Sequence, residues 1–130
     1  MDQKNKALLF VDLCGRYPYT IIVNFDGKKV CVDDIKFIRG DYYLTLKDIE
    51  KTYIDVDVER VKPYLRSMKS MSEAEKGEYK KTFDTYENGM GTKLVCQTYQ
   101  TFDWLNARHF DYRGLIELGL ALEAPQNMYL

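Results

Sequence analysis

The hydrophobic pattern of this chain changes character along its length. Between Tyr19 and Val58 apolar residues fall in short β-branched and aromatic runs broken by turn residues. After Ser72 they recur at spacings of three and four. The first pattern predicts strands and the second helices. Tyr19–Phe25 (YTIIVNF) reads as a strand, and Asp26-Gly27 joins it to Lys28–Val32. A two-residue Asp-Gly link is a strong hairpin signal, because a type I′ turn needs positive φ at both central positions. Ile35–Ile38 and Tyr42–Leu46 predict a second hairpin across a three-residue link, Arg39-Gly40-Asp41. After a polar connector at 47–52, Tyr53–Val58 alternates: Tyr53, Asp55 and Asp57 on one side, Ile54, Val56 and Val58 on the other. That is a strand with one wet face. Residues 19–58 therefore predict a meander of about five short strands. Curled, it is a small SH3-like barrel; open, it is a twisted antiparallel sheet. Either form needs a cover on one face, since a lone meander of this size is marginal.

Around the meander the pattern is helical. Residues 1–6 are polar and predict a frayed end. In Ala7–Cys14 the pairs Leu9/Leu13 and Phe10/Cys14 are four apart. They predict a short helix of three turns or fewer, capped at Gly15. Val61–Leu65 is the exit from the meander, with Pro63 disfavouring helix at Lys62. Ser72 and Glu75 fit a capping box, which starts a longer helix from Glu73 to about Glu87 on the stripe Tyr79, Phe83, Tyr86. Asn88–Thr92 stops it, and Lys93–Tyr99 is one further strand. Thr101 then caps a helix from Phe102 to His109 or Phe110, and Asp111 caps a second short helix, Tyr112–Leu118, ended by Gly119. Phe102, Leu105, Tyr112, Leu115, Ile116, Leu120 and Leu122 supply apolar cover. The expected fold is a single α+β domain over residues 1–130. An antiparallel β-meander at about 19–58 is covered by one longer helix at about 73–87 and a C-terminal pair of short helices at about 101–125.

Composition sharpens the function classes more than the fold. Lys and Arg total 19 against 20 Asp and Glu, so the large basic footprint of a non-specific nucleic-acid binder is missing. No apolar run approaches the roughly 20 residues that span a bilayer, and the start shows no secretory pattern; the expected location is the cytoplasm. Three cysteines, Cys14, Cys31 and Cys96, are too widely spaced for a disulfide framework. With the single His109 they could make up a Cys3His metal set, but none has a neighbour at short ligand spacing. No metal and no cofactor is expected. The meander region is rich in Tyr, with Tyr17, Tyr19, Tyr42, Tyr43 and Tyr53 of the chain's 11, and these provide contact area at low entropy cost.

Two stretches carry a resemblance. Lys62-Pro63-Tyr64-Leu65-Arg66-Ser67-Met68 with Ser70-Met71-Ser72 is one. Asp103-Trp104-Leu105-Asn106 through His109-Phe110-Asp111-Tyr112-Arg113-Gly114-Leu115-Ile116 to Gly119-Leu120-Ala121-Leu122-Glu123-Ala124-Pro125 is the other. Over residues 62–72 and 103–129 the chain resembles a family of small uncharacterised proteins encoded by phages, prophages and mobile elements of gut bacteria. Ser67 stands where that family usually has Pro, and the meander matches loosely. The resemblance implies a source, hence the cytoplasm of a bacterial host cell, and no mechanism.

Candidate chemistry gathers at one predicted helix junction, which holds Asn106, Arg108, His109, Asp111, Tyr112 and Arg113. Arg108, His109, Asp111, Tyr112 and Arg113 are the candidate binding residues, with Arg66 as a further cation able to grip a phosphate or carboxylate. Against this, Arg113 could serve only to pair with Asp111 or Glu117. Three functions compete. The first is stoichiometric binding to a host protein or a small signalling ligand, an anti-defence role included, with no catalysis. The second is nucleic-acid binding through the two short C-terminal helices, weakened by the single exposed base-reading candidate, Arg113. The third is a small enzyme using His109 with Asp103 or Asp111, weakened by the absence of any phosphate loop or paired-carboxylate motif. Binding is the reading preferred. Exposed strand edges and aromatics also allow a homodimer.

Overall fold

The computed structural model describes residues 1–129. Helix α1 (Gln3–Arg16) begins earlier and runs longer than the sequence suggests. The polar start is ordered by Asp2, whose carboxylate accepts from the Asn5 backbone N–H at 2.7 Å. Leu9, Asp12, Leu13 and Arg16 lie buried at helical spacing on one face. Gly15 is inside the helix and not its cap. A Cβ there would lie 3.3 Å from Asn106 Nδ2, so glycine lets the C-terminal segment approach closely.

The meander has four strands: β1 (Ile22–Phe25), β2 (Lys28–Ile38), β3 (Asp41–Lys47) and β4 (Thr52–Asp57). Asp26 and Gly27 take φ of 50° and 82°, as the type I′ turn requires. The two runs expected as separate strands are a single β2, bent by a register shift between Val32 and Asp34. Its link to β3 is two residues, Arg39 and Gly40, both with positive φ, because Ile38 pairs with Asp41. A short 3-10 turn (Val58–Arg60) leads into β5 (Val61–Leu65). The supposed exit from the meander is thus a strand in the middle of the sheet. It pairs antiparallel with β1 and parallel with β8 (Leu122–Glu123). The sheet order is β4-β3-β2-β1-β5-β8, an open sheet and not an SH3-like barrel.

The cover also differs. Leu9 and Leu13 of α1 join Val23, Phe25, Val30, Leu44, Leu46, Val61 and Leu65 of the sheet, with Leu115, Leu120 and Ala121, in one core. Phe10 packs its ring against Tyr42, 4.5 Å between centroids. The expected longer helix does not cover the sheet. Helix α2 (Glu73–Lys81) has the expected capping box but no buried residue, and it stops at Thr82. Residues beyond it form β6 (Asp84–Glu87), which pairs with β7 (Lys93–Cys96) in a separate two-stranded ribbon. Helix α3 (Tyr99–Ala107) follows, with Thr98 and not Thr101 as its N-cap. Residues 112–118 make successive turns in place of a second helix. A smaller apolar cluster of Met71, Leu105 and Phe110, with Met68, Tyr79, Trp104 and Tyr112 around it, joins α2 and α3 to the rest.

Candidate functional site

The five candidate residues follow one another after α3, yet the structure sends their side chains in different directions. Arg108 turns outward, stacks its guanidinium 4.6 Å from the Trp104 ring centre and pairs with Glu78 at 3.1 Å. Trp104 Nε1 donates to the same Glu78 carboxylate at 3.3 Å. Arg113 points inward to Asp12 Oδ1, 2.8 Å away. Asp12 is fully buried and also receives both Arg16 donors, Nε at 2.8 Å and Nη2 at 3.0 Å. Arg16 Nη2 further donates to the Phe110 carbonyl at 2.7 Å. One carboxylate thus sits between two guanidinium groups, both of which lie near the Tyr112 ring. The Tyr112 hydroxyl donates to Asn106 at 2.9 Å.

Asp111 is a cap, as its sequence context suggests, but of a wider turn. Its carboxylate accepts from the backbone N–H groups of Leu115 (2.8 Å) and Ile116 (2.9 Å). An N-cap reaches donors two or three residues on; here Gly114, with φ of 74°, breaks the helix before it forms. A DNA-reading pair of short helices accordingly lacks its second member.

His109 is 5% exposed and has φ of 62°, in the left-handed region. Its ring stacks on Tyr129, 3.7 Å between centroids and 17° between planes. Burial, then the nearby Arg16 and Arg66 charges, lower its pKa to about 4, against a smaller opposing pull from Asp12. The ring is therefore neutral at pH 7. Nδ1 of His109 and Nη1 of Arg16 are buried without a hydrogen-bond partner among the described residues. Tyr129, which holds the imidazole, plugs the end of the β1–β5 ladder. Its hydroxyl donates to the Tyr64 carbonyl (2.8 Å) and accepts from the Ile22 N–H (3.3 Å). Burial is the main cause that pushes its pKa up to about 12.

Arg66, which follows β5, lays its guanidinium over the Phe110 ring, 4.2 Å from its centre. It makes a two-pronged pair with Glu75, both bonds at 2.7 Å. That pair, with the Ser72 backbone N–H, holds the Glu75 carboxyl down to about 2. The pair lines a cleft of about 640 Å³. Ser67, Ser70 and Ser72 form one wall, and Glu123 to Tyr129 the other. The sequence marks Ser72 as a helix cap and none of the three serines as a site residue. Arg66 to Ser72 and Glu123 to Tyr129 fall within the two stretches, 62–72 and 103–129, over which a family resemblance is expected. The chain has folded one against the other. The backbone makes the join, since Arg66 N–H donates to the His109 carbonyl (2.7 Å) and Ala124 N–H to the Leu65 carbonyl (2.7 Å).

Among the described residues no group of three or more His, Cys, Asp or Glu could hold a metal ion. Cys14 and Cys31 are exposed and Cys96 is half-buried, all three unpaired. Among the described residues no helix is long and apolar enough to cross a membrane. No family model, curated protein or solved structure matches the chain.

Proposed function

We propose that the protein acts by stoichiometric binding and that the cleft between Arg66–Glu75 and Glu123–Tyr129 receives a small polar ligand. Of the partners considered, a small signalling ligand fits this concave site better than a host protein. The observation that carries the reading is the junction itself: two distant stretches wall a cleft of about 640 Å³ with three serine hydroxyls and an arginine–glutamate pair. Clefts of that size, with a few convergent polar groups, are the usual form of small-ligand sites. The expected source is a phage, prophage or mobile element, and the expected setting the cytoplasm of its bacterial host. Catalysis is not part of the proposal. The imidazole of His109 is buried against Tyr129, and Arg108, Asp111 and Arg113 are each engaged within the fold.

The test is mass spectrometry of the protein recovered under native conditions from a bacterial lysate, followed by thermal shift with a panel of nucleotides. A bound small molecule is expected, lost in Ser70→Tyr, which fills the cleft from an exposed turn. An anionic ligand has to displace Glu75 from Arg66, so Glu75→Gln should tighten a phosphate-bearing ligand. Absence of any ligand in the recovered protein, together with no nucleotide shift, overturns the reading.

A further inference from the structure

The ribbon β6–β7 is the one part of the described structure whose strands pair only with each other. Tyr86, Met90, Leu94, Val95 and Tyr99, all in or beside it, are exposed. Its two free edges differ. On β6, Asp84 and Glu87 fall on opposite faces of the ribbon, so the edge carries a carboxylate on each side. Charges placed this way blunt an edge against further pairing. On β7 the only charge is Lys93, and Glu87 stands across from it in the ladder. The main sheet's own edges are blunted by other means. Strand β4 is interrupted at Asp55, with φ of 54° and a register shift, and β8 is two residues long.

We propose that β7 pairs antiparallel with β7 of a second copy of this chain, joining two ribbons into a four-stranded sheet. A two-fold axis normal to the sheet keeps each face on its own side, so a residue can only stand opposite one of the same parity. Of the registers this allows, the one centred on Leu94 keeps Lys93 from facing Lys93: Leu94 faces Leu94 of the second copy, and Lys93 faces Val95. Tyr86 is already across from Leu94 in each ribbon. One face therefore gains an unbroken row of Tyr86, Leu94, Leu94 and Tyr86 across four strands. On the other face each Val95 lies against the stem of the opposite Lys93, whose ladder partner within its own ribbon is Glu87. No like charges stand directly opposite each other. Two strands alone are marginal in water, whereas three or more with an apolar face are not. The carboxylates of β6 then form both outer edges, so the assembly closes at a dimer and does not grow. The contact is small and belongs with weak, concentration-dependent interfaces. It is independent of the ligand cleft and goes beyond the binding function proposed above.

Sedimentation velocity on the full chain, from about 5 to about 500 µM, tests this through mass action. The weight-average coefficient should rise from the monomer value toward the dimer. Leu94→Lys sets two ammonium groups face to face and should weaken association about tenfold or more. Ile54→Lys, on the exposed β4 edge of the main sheet, should leave it unchanged. Both positions are exposed, and a thermal melt confirms that each variant stays folded. A chain that remains monomeric throughout leaves the β7 edge to some other protein and overturns the proposal. So does association that Leu94→Lys leaves unchanged, or growth beyond a dimer.

Discussion

The main sheet and the β6–β7 ribbon are built from the same ladder hydrogen bonds, yet they differ in everything that supports a ladder. Strands β1, β2 and β3 each have a neighbour on both sides, and their inner residues Val23, Val30, Leu44 and Leu46 are at most 2% exposed. Strands β6 and β7 have one neighbour each, and none of their residues is buried. Among the described residues the ribbon is tied down at its base. The hydroxyls of Thr98 and Thr101 donate to the Thr82 carbonyl at 3.0 and 3.1 Å, and Thr101 is fully buried. Strand pairing is thus local, whereas stability comes from what covers the strands. Removing the cover from the sheet should cost several kcal/mol, and altering the ribbon almost nothing.

The sharpest break is at Asp12. Its carboxylate joins Arg16 of α1 to Arg113 of the C-terminal segment, and both elements cover the sheet. Asp12→Ala leaves the buried guanidinium of Arg16 and that of Arg113 with no carboxylate between them. Breaking a buried pair from one side costs about 3–5 kcal/mol. Urea unfolding should show that loss as a lower midpoint with little change in slope. Arg113→Ala should cost less, because Arg16 still satisfies the carboxylate. Equal losses in the two variants would mean that Arg113, and not the shared carboxylate, carries the join.

Acid should attack the same region. The pKa of His109 is about 4 in the folded protein, against 6.5 for an unperturbed imidazole. Between those values the unfolded chain binds the proton and the folded chain does not. The stabilisation is complete above pH 6.5 and is lost as pH falls to about 4, a total of about 3 kcal/mol at roughly 1.4 kcal/mol per unit. Glu75 adds a smaller, solvent-screened loss lower down, as its carboxyl titrates from its ordinary 4.5 toward about 2. His109→Asn tolerates the left-handed backbone and should flatten the stability curve between pH 6.5 and 4. A curve with the same slope in that variant would place the acid sensitivity elsewhere.

The sequence makes some of this contrast visible. The Asp26–Gly27 turn and the Ser72–Glu75 capping box were readable because each is settled by residues within a few positions of one another. The ribbon was half hidden, because Tyr79, Phe83 and Tyr86 keep a helical spacing through Thr82. There the helix ends, with the Thr82 hydroxyl donating back to the Tyr79 carbonyl at 2.6 Å. Strand β5 was hidden because its partners, Val23 to Phe25 and Leu122 to Glu123, are remote in sequence, while Pro63 speaks only against helix. At the candidate site the residue types were legible and their partners were not. Arg113 meets Asp12 across 101 positions, and the cleft forms only when 66–75 meets 123–129. Spacing along a chain carries no information about such contacts; they are set by packing.

The smallest expected effect completes the comparison. Val95→Thr keeps a β-branched residue on the exposed face of β7 and should change the stability of the domain by no more than about 0.5 kcal/mol, as surface substitutions usually do. A null result of that kind becomes informative beside hydrogen exchange. Amides of β1 and β2 should open only with global unfolding, while those of β6 and β7 should exchange through local opening at far lower cost. If the ribbon is joined to a second copy, its protection should rise with protein concentration while that of β1 and β2 stays fixed. Ribbon amides as slow as the core at low micromolar concentration would break the comparison outright. They would mean that the Thr82–Thr98–Thr101 base alone holds the ribbon as firmly as burial holds the sheet.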